Sequence, residues 1–213
     1  MHKLNRGIAP VCLAAYHHGA DQWCHTKPTS AERQAIWGCL DAMQGGRCAY
    51  CAAELQDDGK HIEHFRQRSR YPAGTFDWGN LFGSCNRAES CGKHKDACGL
   101  YNHGDLIKPD AEDPDHFLVF VSDGTIAVRA GLQAAARHRA EETLRIFNLD
   151  AKHGALRHMR RKAAAGYLQT AEEFRQYAEE FDQADWQPLL DQELATIEPL
   201  PFATTIRHAL LGN

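Results

Sequence analysis

No run of apolar residues in this chain approaches the roughly 18 that a membrane-spanning helix needs. The first ten residues hold Lys3 and Arg6 but no apolar stretch, so no secretory signal is read there and the expectation is a soluble protein of the bacterial cytoplasm. Positive charge is not in excess either: the formal net charge is -4, which excludes a generally basic nucleic-acid coat. Charge is uneven, however. Bases dominate from Arg137 to Lys162, and acids dominate from Glu172 to Glu198. Internal repeats and low-complexity linkers are missing, which excludes solenoids and disordered tails. What is present is 213 residues with 43% hydrophobic content, enough for a real core in one domain or two small lobes.

Eight cysteines stand beside 13 histidines, and one tight pair organises them. Cys48-Ala49-Tyr50-Cys51 offers two thiolates three residues apart. Cys85 and Cys91 follow roughly 35 to 40 residues later and complete the four-sulfur set that Zn²⁺ prefers, so the expectation is a closed structural zinc site. Cys12, Cys24, Cys39 and Cys98 lack close partners and read as buried small residues.

The segment between these half-sites carries Glu63, His64 and Asn80, residue types suited to metal-assisted phosphodiester hydrolysis. On an extended strand, neighbours face apart, so Glu63 can offer a carboxylate to a hard cation while His64 takes a proton from water on the other side. His61 would share the face of Glu63. Gly79-Asn80 is an ordinary turn pair, or the Asn80 amide ties the loop so that the His64 ring is held. Arg66 and Arg68, with Lys95 further on, are the candidate phosphate contacts, and a solvated strand face explains the arginines equally well. The basic stretch Arg157 to Lys162 reads as a solvated face or as nucleic-acid contact.

Local patterns place these residues. Thr29-Ser30-Ala31-Glu32 is a capping box, and Ile36, Cys39, Leu40 and Met43 recur at helical spacing until Gly45-Gly46. Lys60 to Phe65 reads as the first arm of a hairpin, Tyr71 to Gly79 as loop, and Cys91 onward as a helix. Asp123-Gly124 predicts a second hairpin. Thr170-Ala171-Glu172-Glu173 predicts a capped helix with Phe174, Tyr177, Ala178 and Phe181 inward. After Pro199 and Pro201, the apolar tail Phe202 to Leu211 either folds back onto the core or enters a groove on another chain. The predicted fold is α+β and mainly helical, with an arm at 1–46, a zinc-stapled core at 47–103 and a hairpin-plus-helices region at 104–213.

Cys48-x-x-Cys51, Glu63-His64, Asn80-Leu81, Cys85, Cys91 and Lys95 together resemble the HNH endonuclease motif, a ββα-metal nuclease core with a zinc knuckle. Lys3 to Gly7, Ile62 to Phe65, Thr75 to Cys85, Cys91-Gly92 with Lys95-Asp96, and Glu142 to Leu149 resemble PtuB-like proteins, the HNH effectors of Septu anti-phage systems and of some retrons. The resemblance implies His64 as general base, Glu63 as ligand to a catalytic Mg²⁺ or Mn²⁺, and Asn80 as the residue positioning the histidine loop. It also implies a PtuA-type ATPase partner, joined in retrons by a reverse transcriptase and its DNA. One departure matters: where the family pattern has a ligand after the second cysteine, this chain has Gly92. Asp96, one helical turn on, is the expected replacement ligand, with His94 as the competitor.

Two other functions compete with a DNA-cutting nuclease. A cellular RNA such as tRNA is an alternative substrate, and a zinc module that binds nucleic acid or a partner without cutting is the non-enzymatic reading. A zinc deaminase is excluded, because no Pro-Cys-x-x-Cys follows His61-x-Glu63.

Overall fold

The structure, a computed structural model, describes residues 1–212 as an α+β chain, about half of it helical, with two small sheets. The helix α1 (Ser30–Gln44) begins at the expected capping box: the Thr29 hydroxyl accepts from the Glu32 N–H, and Glu32 accepts from the Thr29 N–H at 2.7 Å. Ile36, Leu40 and Met43 face the core. Gly45 and Gly46 are both left-handed, with φ of 60° and 68°, a conformation that only glycine adopts cheaply. They turn the chain into Cys48.

Strand β1 (Lys60–His64) pairs antiparallel with β2 (Leu81–Cys85), Glu63 opposite Phe82 and His64 opposite Leu81. The side chain of Gln44 continues this sheet, donating to the Gly83 carbonyl at 2.9 Å and accepting from its N–H at 2.7 Å. A buried strand edge is thereby satisfied by a helix residue rather than by a third strand. The short helix α2 (Cys91–Ala97) follows and packs on β2. Two strands and a helix therefore succeed one another along the segment between and around the cysteines.

The second hairpin joins β3 (Leu118–Phe120) to β4 (Ile126–Val128). Its Gly124 sits at φ 90°, and a Cβ there would lie 2.0 Å from the Arg157 carbonyl oxygen. That close approach seats the turn against α4 (Ala155–Ala165), which follows α3 (Ala134–Phe147). Arg160 is buried in this contact, donating from Nε to the Gly124 carbonyl at 2.7 Å, and Arg157 pairs with Asp150 at 2.6 Å. The basic stretch is therefore partly structural, neither wholly solvated nor wholly free for phosphate.

Helices α5 (Leu168–Glu180), α6 (Gln183–Ile197) and α7 (Ala203–Leu211) complete the chain. Two sequence expectations fail here. Helix α5 starts at Leu168 with no side-chain cap, so Thr170 lies inside its first turn, and Tyr177 and Phe181 are exposed rather than inward. The small core cluster takes Ala171 and Phe174 from α5 but not Tyr177 or Phe181, which line an open groove with Asp185, Trp186 and Leu189 of α6. The tail folds back. Phe202, Ile206 and Leu210 are buried, and the His208 Nδ1 accepts from the Phe120 N–H at 2.9 Å. One main core draws on all three expected segments, from Leu4 through Tyr50, Phe82 and Phe147 to Phe202, and a smaller cluster joins α5, α6 and α7.

Candidate metal centre and catalytic cleft

Three points of the chain converge at the cysteines: the turn after α1, the end of β2 and the start of α2. The Cys48 N–H donates to the Ala53 carbonyl at 2.8 Å, and Ala52 takes a left-handed φ of 61°, closing the Cys-x-x-Cys turn. Cys48, Cys51, Cys85 and Cys91 are all buried, and their sulfurs lie within 4.8 Å of one another. Bonds of about 2.3 Å to a tetrahedral Zn²⁺ place sulfurs about 3.8 Å apart, close to the 4.0 Å between Cys51 and Cys85. The four thiolates fit zinc. Among the described residues, this is the one group of three or more such ligands close enough to share an ion.

His64 ends β1 and lies on the opposite side from Glu63, as the strand alternation predicts. Its Nε2 is 2.9 Å from the Thr75 carbonyl oxygen. A carbonyl only accepts, so Nε2 carries the proton and Nδ1 keeps its lone pair. Burial lowers the ring's pKa to about 4, which leaves it neutral and able to accept a proton at ordinary pH. Trp23 meets the ring edge-on, with centroids 4.7 Å apart.

The loop that supplies Thr75 is itself tied by Asn80. The Asn80 amide accepts from the Arg66 N–H at 2.7 Å and donates to the carbonyls of Arg66 at 3.1 Å and Gly74 at 3.0 Å. Of the two readings of Asn80, the contacts favour the loop tie over the plain turn pair. A cleft of about 430 Å³ opens beside it, lined by His18, Asp21, Trp23, Arg68, Ser69 and Thr75 among others. Two of its walls, Trp23 and Thr75, are the groups that contact the His64 ring.

The other face of β1 differs from expectation. Glu63 is 1% exposed, and its carboxylate is held by the Tyr50 hydroxyl and by the Lys95 ammonium at 2.7 Å. Lys95 also reaches Asp96 at 2.6 Å, and its side chain is fully buried, whereas that of Asp96 is 56% exposed. Burial lowers the Lys95 pKa, but the two carboxylates more than offset it, so the ammonium stays above its ordinary value. Lys95 therefore contributes no surface charge for phosphate, because its charge is spent in the interior. His94 points away, its Nδ1 at 2.9 Å from the Ile146 carbonyl on α3.

Gly92 explains the crowding. A Cβ there would lie 2.3 Å from the Glu63 Cγ, so no side chain can enter from that position. Glu63 and Asp96 do come together, but through an ammonium, and the set as arranged does not fit an open Mg²⁺ or Mn²⁺ position. His61 bonds Asn86 at 2.8 Å through Nδ1, while its Nε2 is buried without a partner.

Of the phosphate candidates, Arg68 is exposed on the cleft and donates to the Trp23 carbonyl at 2.8 Å, and Arg66 lies over the Tyr71 ring at 4.7 Å. Sequence reasoning missed Trp23, Thr75 and Tyr50. Tyr50, inside the Cys-x-x-Cys turn, and Thr75, at the start of the Thr75 to Cys85 stretch, stood beside a signal; Trp23 did not.

These features define a small α+β protein built around a buried four-cysteine cluster that could hold a metal, with a buried histidine packed against two walls of a cleft. No helix is long and apolar enough to cross a membrane. No family model matches the chain. Over 61 residues it is 33% identical to the Septu protein PtuB of Bacillus thuringiensis, a match that covers 25% of this chain and 24% of that protein. The chain thus shares about a quarter of that relative's length, and the likeness supports a PtuB-like relationship over that stretch.

Proposed function

We propose that this chain is an HNH-type endonuclease, the effector subunit of a Septu-like anti-phage system, and that His64 is its general base. The carrying observation is the anchored ring: Nε2 donates to Thr75, Nδ1 is left basic, and the contacting walls belong to a cleft. A water held there loses a proton to Nδ1 as its oxygen attacks phosphorus, the bond from phosphorus to the leaving sugar oxygen breaks, and that oxygen takes a proton from solvent; general-base help of this kind is worth on the order of 10² to 10⁴ in rate. Arg68, on the cleft wall, meets the phosphate charge. Asn80 and Trp23 position the ring rather than touch substrate. Zinc in the four-cysteine site holds the architecture together and takes no part in the reaction.

The likeness to PtuB supports a Septu defence role with a PtuA-like partner, proposed to be an ATPase; a retron reverse transcriptase and its DNA are proposed from the motif resemblance alone. The exposed Tyr177, Phe181 and Leu189, ringed by Glu179, Glu180, Asp182 and Asp185, suit a partner surface that is apolar at its centre and basic at its rim. The HNH resemblance favours DNA as substrate, with tRNA as the alternative.

The test is cutting of plasmid, single-stranded DNA and total tRNA by the zinc-loaded chain co-purified with its neighbouring ATPase. His64→Ala is expected to lose about 10²-fold or more of the activity with zinc content and fold unchanged. Wild-type cutting by that variant refutes the assignment.

A further inference from the structure

The two carboxylates that a divalent cation would bridge are already bridged. Lys95 Nζ lies 2.7 Å from Glu63 Oε1 and 2.6 Å from Asp96 Oδ1, between groups that the sequence alone assigns to a metal. The first contact is an ion pair between two side chains with no exposed surface. The remaining Glu63 oxygen accepts from Tyr50.

With Lys95 between the two carboxylates, the neighbouring positions do not complete a coordination shell. Mg²⁺ demands a near-octahedral set of oxygens at about 2.0 to 2.1 Å and keeps several waters. Gly92, where the family pattern has a ligand, lies so close to the Glu63 methylene that even a Cβ is excluded. His94 is turned to α3, and Glu63 is sealed from solvent. Admitting a metal would require moving a lysine side chain with no exposed surface and leaving its charge unpaired in the core, which is costly.

We infer that Lys95 is the resident cation of this centre, a positioning residue whose ammonium holds Glu63 and Asp96 together, so that the pair binds no Mg²⁺ or Mn²⁺. This stands apart from the nuclease reading, since it concerns what the carboxylates bind whether or not the chain cuts.

The experiment is Mn²⁺ titration of the zinc-loaded full chain, followed by electron paramagnetic resonance, on wild type, Glu63→Gln and Lys95→Met. Wild type is expected to bind no equivalent of Mn²⁺ that depends on Glu63, even at millimolar free metal. Lys95→Met, with both carboxylates released, is expected to gain one, at least about tenfold tighter than anything wild type shows. One equivalent bound by wild type and lost in Glu63→Gln overturns the inference. Weak binding unchanged by Glu63→Gln is a site elsewhere and upholds it. Should Lys95→Met fail to fold, the wild-type and Glu63→Gln pair still decides.

Discussion

Replacing Asn80 separates a hydrogen-bonding role from a packing role. The side chain is 2% exposed and makes three hydrogen bonds to the loop between the strands, one accepted and two donated. Asn80→Ala leaves an N–H and two carbonyls without these partners, at about 1 kcal/mol each, or about 3 kcal/mol in all. For a chain of 213 residues that corresponds to a fall in Tm of about 6 to 12 °C. Asn80→Asp is nearly isosteric and keeps the acceptor toward Arg66, but it turns a buried carboxylate oxygen against two carbonyl oxygens. It is therefore expected to destabilise at least as much as alanine. The assay is urea unfolding of zinc-loaded protein, with cutting measured in parallel, because a loosened loop releases the Thr75 carbonyl from His64. If Asn80→Asp unfolds within about 0.5 kcal/mol of wild type, the amide tie is not what holds the loop.

Other outcomes follow from the same geometry. Cys51→Ala is expected to lose zinc and cooperative folding together, and elemental analysis finding zinc retained in the variant contradicts the four-sulfur site. Burial holds His64 and His208 at a pKa of about 4, below the unfolded value near 6.5, so their contribution to stability is complete above about pH 6.5 and lost as pH falls toward 4. His64→Asn should flatten that slope by up to roughly 3 kcal/mol across the window, and equal slopes in urea titrations of the two proteins count against a buried neutral ring. Deleting residues 199–213 removes the buried Phe202, Ile206 and Leu210 and is expected to lower Tm sharply, whereas Phe181→Ser should leave Tm unchanged and reduce co-purification with the ATPase. The reverse pattern places the partner on the tail instead.

The zinc cysteines were legible in the sequence because ligand spacing is a local property: a Cys-x-x-Cys turn commits two sulfurs before any tertiary contact forms. The strand alternation also carried over, separating Glu63 from His64 as drawn. The histidine's surroundings were not legible. Its anchor is a backbone carbonyl, which has no residue type to recognise, and its aromatic wall, Trp23, arrives from a distant loop held by Arg33 and Phe76. The end of α5 misled for a related reason. A periodic apolar stripe says which face a helix would bury, but not how closely a neighbouring helix packs on it, and Tyr177 and Phe181 line an open groove beside α6.

Glu63 presents the deeper difficulty. Alternation states that two side chains diverge, yet it is silent on which of the two faces is sealed. Here the sealed face is that of the acid, and a sealed acid requires a buried counter-charge. A metal and a lysine satisfy that requirement equally well on paper. What discriminates them is Gly92: a ligand-bearing residue there would push the Glu63 methylene away, and its absence lets the carboxylate sink to where Lys95 reaches it. Gly92 and the buried Lys95 thus belong to one packing arrangement around Glu63. Sequence reasoning that treats Gly92 only as a missing ligand, and shifts the role to Asp96, overlooks the space that the missing side chain creates.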